Sequence, residues 1–394
     1  MFVIDAFGAR WTLDVSGLEP ALGARLLRLW ERARVDVDPT APAGDTLPFV
    51  VRRADDGTVE VDGVPHHVPD DDIPYAVSRG VTTASIHRRS GQCLMLHAAG
   101  VATGDGGTVA LVAASGTGKT TASRVLGRAL GYVSDETVSV EHDLRVRAYP
   151  KPLSVVVAPD APHGKHESSP DELGLVPAAP DLSLSATVVL RRSPEVTSPV
   201  LEAISLIEAM GEVLPQTSAL PSLDRPLDRL ATALTTGHGP WRLTYRDIDD
   251  CVEIVADLAH HRFPDGPPHE VTWTWIEGLP VRRSDTAGDG PDAAGPAAGD
   301  AVPTAWTRAP FRDAVVCDGS ALVLLDRVPM TLPGMAATVW LAAAEPATLA
   351  DLVGASTASL GPHPDAQGLV SATLASLVER GLLVAARQPA ASPR

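Results

Sequence analysis

Residues 115–121 read Ser-Gly-Thr-Gly-Lys-Thr-Thr. A glycine turn followed by Lys-Thr is the composition of a loop that cradles phosphate. The small residues Ser115, Gly116, Thr117 and Gly118 let successive backbone N–H groups converge on one point. A helix starting there adds a field that favours an anion. Lys119 would bring a mobile positive charge to the β- and γ-phosphates, and the Thr120 hydroxyl would be a ligand for Mg²⁺. With Thr121, this stretch is expected to bind a nucleoside triphosphate, ATP first among them.

Such a loop needs a strand before it and a helix after it. Thr108 to Ala114 is apolar and β-branched and reads as a buried strand. Thr120 to Leu130 reads as a helix stopped by Gly131. Ala113 stands where the full G-x-x-x-x-G-K-[ST] pattern begins with glycine, and alanine closes that turn if its φ stays negative.

One helix later comes Tyr132-Val-Ser-Asp135-Glu136. An apolar strand ending in acids, set beside the loop's strand, would offer a metal-side carboxylate and a base for an attacking hydroxyl. His97 ends the apolar stretch Cys93–His97, in hairpin relation to the loop's strand, so it is expected near the phosphate end of the sheet. Lys151, between Pro150 and Pro152, reads equally well as a phosphate ligand and as an exposed loop residue. Arg191 and Arg192 end another apolar strand and read either as phosphate ligands or as solvated.

Other polar clusters have a simpler explanation. Asp70-Asp71-Asp72 precedes a helix expected over 73–89, where acids complement the helix dipole. His163 and His166 lack a third ligand at useful spacing, so no zinc site is read there.

The 394 residues carry a net charge of −17 and a sequence pI of about 5.0, which excludes non-specific nucleic-acid binding through a basic surface. Three scattered cysteines, Cys93, Cys251 and Cys317, match neither a disulfide framework nor a metal site and fit a reducing, cytoplasmic setting. No signal peptide and no membrane-spanning run is read.

The organisation expected is α/β in four parts. Residues 1–68 read as a small α+β lobe, with an amphipathic helix over Leu18 to Arg34. Residues 69–281 form the nucleotide-binding domain, in which 159–183 reads as a mobile loop. Residues 282–309 have almost nothing to bury and read as a flexible linker. Residues 310–388 pattern as a short-stranded meander, including Val328–Leu332, followed by three helices, which is winged-helix-like.

Two resemblances rest on these residues. His97-Ala-Ala-Gly, Ser115–Thr120, Ser134-Asp135-Glu136 and Arg147-Ala-Tyr-Pro-Lys-Pro-Leu153 together resemble the HPr serine kinase/phosphorylase family, especially its relatives in peptide-modification gene clusters. The resemblance implies an HPr-kinase-like P-loop core using ATP and Mg²⁺. Asp135 would be the base on the accepting hydroxyl, Glu136 the metal-side or supporting acid and His97 an active-site partner. Relatives in that family are often oligomers, so a homo-oligomer is implied by resemblance alone. Asp318–Asp326, Leu332–Trp340 and Leu377–Leu383 are similar to the PqqD family of peptide chaperones. That similarity implies a leader peptide added as a strand at the edge Val328–Leu332, held by backbone hydrogen bonds.

The function expected from sequence is therefore phosphoryl transfer from ATP to a Ser or Thr hydroxyl of a ribosomally made peptide, recruited through its leader. The alternatives are a non-catalytic ATP- and peptide-binding chaperone, favoured by Ala113 and Glu136, and a small-molecule kinase with a regulatory C-terminal domain.

Overall fold

The computed structural model describes residues 1–36, 46–114, 116–156, 165–263, 271–278 and 304–386. It is a mixed α/β protein of two compact units, Met1–Val271 and Thr272–Arg394. His163, Ser115 and most of the expected linker lie outside the described residues.

In the first unit, Phe2–Ala6 and Ala9–Gly17 form a hairpin, and Ala9–Gly17 runs parallel to Thr46–Arg53. A parallel pair needs a crossover, and helix Pro20–Leu29 lies in the intervening chain. Leu22, Leu26, Leu29, Trp30 and Ala33 are all buried, as the amphipathic stripe requires, although the α-helix ends at Leu29 and a short 3-10 turn continues it. Helix Ile73–Arg89 keeps its expected bounds. Asp70 and Asp71 ahead of it pair with Arg53 and Arg25 at 2.8 and 2.9 Å.

One apolar core joins this small sheet to the chain beyond it: Phe49 and Trp30 share that core with Val77, Val81, Met95 and Tyr149. The lobe expected over 1–68 thus has no core of its own.

Among the described residues, the second sheet of this unit has eleven strands. The loop's strand, Gly107–Val112, is fully buried and runs parallel to Leu182–Arg192 and antiparallel to Ala98–Ala102. Strand Gly131–Ser134 pairs with Ala98–Ala102. The acid-bearing strand is therefore one place removed from the loop's strand, not beside it, because the Ala98–Ala102 hairpin arm lies between. The registers still bring both to one end: Val112 lies opposite Ala98, and Ser134 opposite Gly100. The helix after the loop is shorter than expected, Lys119–Leu126, and gives way at Gly127, whose carbonyl accepts from Val176 N. The described part of 159–183 is structured: Lys165–Ser168 pairs with Leu153–Val156 and carries the buried Glu167.

In the second unit, Asp313–Cys317, Ser320–Leu325 and Val328–Leu332 form an antiparallel meander. Thr274–Glu277 adds a fourth strand on the far side, so residues that the sequence places in the preceding domain contribute to this sheet. Val328–Leu332 is the opposite edge. Helices Met335–Ala342, Leu349–Leu360 and Ala366–Glu379 come next, packed around Trp340 and Leu377. Thr348 and Asp351 form a capping box at the second of them. Among the described residues no helix is long and apolar enough to cross a membrane.

Candidate active site

The phosphate-type loop bends through Gly116 and Gly118, whose φ values of +84° and +101° lie in the left-handed region that favours glycine. Gly118 is the N-cap of helix Lys119–Leu126. Loop and helix open onto a cleft of about 610 Å³ lined by Gly116, Gly118, Lys119, Thr120 and Thr121. Thr117 closes the turn, its hydroxyl donating to Ala114 O at 2.9 Å. Lys119 folds back on its own loop, Nζ donating to Ala113 O at 2.6 Å and Ala114 O at 3.3 Å. Burial pulls its amine below the usual lysine range, with Glu136 opposing. An anion reaching the loop would offer that ammonium a better partner than two neutral carbonyls.

His97, Asp135 and Glu136 line the same cleft. Ala98 N donates to Glu136 O at 3.2 Å, which ties the histidine's strand to the acid pair. Burial, then the neighbouring Lys119, pulls the imidazole below its usual range, so His97 is neutral at pH 7.

The two carboxylates are not equivalent. The Asp135 side chain is 4% exposed and that of Glu136 is 36% exposed. Asp135 Oδ1 accepts from Tyr132 Oη at 3.0 Å. Lys151 Nζ lies 3.1 Å from the same oxygen, 3.3 Å from Glu136 Oε2 and 2.9 Å from Pro152 O. Lys151 is thus no exposed loop residue. Burial pulls its ammonium down, but Asp135, Glu136 and Glu167 together outweigh that and hold it protonated, well above the usual range. Glu167 accepts from Ser78 Oγ at 3.0 Å and from Ser154 Oγ, which borders the cleft. Burial raises the Glu167 carboxyl against the pull of Lys151.

The sequence left Lys151 undecided and did not single out Tyr132 or Glu167. The Pro150-Lys151-Pro152 segment, whose prolines fix the chain around the lysine, was the available signal for Lys151. Glu167 carried none, because its strand reads as polar. Arg191 and Arg192 are exposed and do not line the cleft.

Mg²⁺ takes one or two carboxylates and completes its shell with phosphate oxygens and water. Thr120 and the exposed side of Glu136 fit that donor set. Among the described residues no cluster of three or more His, Cys, Asp or Glu stands ready to hold a metal without a nucleotide. A larger cleft of about 750 Å³, bordered by Arg32, Arg34, Arg145 and Arg147, also carries Asp5, Asp105 and Asp181 and has no phosphate loop.

No protein-family model and no curated protein matches the chain. Among solved structures it is similar to one described as the HPr(Ser) kinase/phosphatase from Coxiella burnetii. The match covers 42% of this chain and 93% of that one, at 9% identity and a TM-score of 0.24. At those values the likeness assigns no activity and no residue role.

Proposed function

We propose that this protein transfers a phosphoryl group from ATP to a Ser or Thr hydroxyl of a peptide. One observation carries the reading: a glycine-turned loop with Lys119 and Thr120 shares a cleft with His97 and the Asp135–Lys151–Glu136 cluster. The loop N–H groups and Lys119 bind the phosphates, and Thr120 and Glu136 would hold Mg²⁺. The ion when bound offsets phosphate charge. Neutral His97 takes the proton of the accepting hydroxyl. Catalysis of this kind is mostly positioning and charge neutralisation.

In this proposal the C-terminal unit is a PqqD-type leader-binding domain. The edge strand Val328–Leu332 supports it, with Val328 58% exposed and a row of backbone groups open to an added strand. Leader binding would raise the local concentration of the core peptide at the cleft. The test is mass spectrometry of a peptide encoded beside the gene, incubated with the protein, ATP and Mg²⁺. A gain of one phosphoryl group, lost with Lys119→Ala, is expected. No gain while both ATP and leader bind would sink the proposal.

A second reading is a chaperone that binds nucleotide without transfer: Asp135, covered by Lys151 and Tyr132, is a poor base, so transfer would rest on His97. ATP turnover separates the two readings.

A further inference from the structure

Asp135 and Glu136 are adjacent acids at a phosphate cleft, the composition of a site that clamps a divalent cation between two carboxylates. The place between them is already filled. Lys151 Nζ stands 3.1 Å from Asp135 Oδ1 and 3.3 Å from Glu136 Oε2. An ammonium has three N–H donors, and the third goes to Pro152 O at 2.9 Å. The Lys151 side chain is 3% exposed, so it is built in, not resting there. Tyr132 Oη gives Asp135 Oδ1 a second donor at 3.0 Å. A divalent ion between the two carboxylates would have to displace this ammonium or sit against it, and like charges in a water-poor site repel strongly.

We infer that Lys151 is a resident cation that fills the position between Asp135 and Glu136, so that the nucleotide site takes one divalent ion only. That ion would be reached by Thr120 and the exposed side of Glu136. Asp135 is then a positioning residue for Lys151 and neither a metal ligand nor a base. The inference rests on the nucleotide reading above.

The test uses the full chain with a non-hydrolysable ATP analogue and Mn²⁺, counting bound Mn²⁺ by its paramagnetic resonance. One Mn²⁺ per bound nucleotide is expected. Glu136→Gln, which removes a direct ligand, should weaken Mn²⁺ binding by about tenfold or more, and by clearly more than Asp135→Asn, which removes only a neighbouring charge. Two Mn²⁺ per nucleotide, or equal weakening by both variants, overturns the inference. Should Asp135→Asn not fold, the wild-type stoichiometry still decides. Binding of a fluorescent ATP analogue in the presence of Mg²⁺ is measured alongside. Its absence overturns the nucleotide reading and this inference with it; two Mn²⁺ with the analogue bound overturns the inference alone.

Discussion

Lys151 Nζ lies 3.1 Å from Asp135 Oδ1, and the two side chains are only 3% and 4% exposed. A buried ion pair is weak evidence of stability, because desolvation offsets attraction, but removing one partner strands the other. Lys151→Met is therefore expected to destabilise the first unit by about 3–5 kcal/mol. Denaturant unfolding followed by tryptophan fluorescence measures this. A loss below about 1 kcal/mol would mean that water reaches Asp135 and solvates it once the lysine is gone.

Among the described residues, the hydrogen bonds of Lys119 Nζ go to two loop carbonyls and to no acid. Lys119→Met should thus leave thermal stability nearly unchanged, while ATP affinity falls on the order of 10- to 100-fold through loss of a charged hydrogen bond. Titration with a fluorescent ATP analogue is the check. Unchanged affinity would remove Lys119 from the phosphate site.

Gly118 has φ +101°, and a methyl group added there would meet nothing within 4 Å. The cost of Gly118→Ala is therefore backbone strain alone, about 1–2 kcal/mol. The same change should weaken nucleotide binding, because the loop N–H groups lose their common aim. If Gly118→Ala binds the ATP analogue like wild type, the loop amides are not the phosphate ligands.

The folded-state pKa of His97 lies below its unfolded value of 6.5. Above that value the imidazole is neutral in both states, and its contribution to stability is complete. As pH falls below about 6.5, the unfolded chain takes up the proton first and stability declines until the folded-state value is passed. His97→Asn should flatten this part of the stability–pH curve without moving the curve above pH 7. An unchanged slope would show that His97 titrates normally.

The open edge Val328–Leu332 makes a separate prediction. Val328→Asp adds a desolvation cost to any strand laid along it and should lower leader affinity about tenfold or more. ATP-analogue affinity should stay the same. Fluorescence anisotropy of a labelled leader peptide reads the first quantity, and full retention of leader binding would move the docking site elsewhere.

Local patterns carried much of this protein. The strand–glycine turn–Lys-Thr–helix order, helix Ile73–Arg89 with its acidic start, and the buried stripe Leu22–Leu26–Leu29 arise from spacing and propensity over a few residues. His97 reaches the cleft as the hairpin order implied, and the acid pair reaches it from a strand one place further from the loop's strand than expected.

What sequence order alone did not determine depended on which strands became neighbours. The Ala98–Ala102 arm sits between the loop's strand and the acid-bearing strand, a pairing made across about thirty residues that no local pattern encodes. Only that register, with the pairing of Leu153–Val156 to Lys165–Ser168, folds Pro150-Lys151-Pro152 over the acids. Burial then made Asp135 and Glu136 different, though in sequence they are adjacent carboxylates. Exposure, and with it the division between a positioning acid and a cleft-facing one, is a property of what packs against a residue, and that was decided by the tertiary structure.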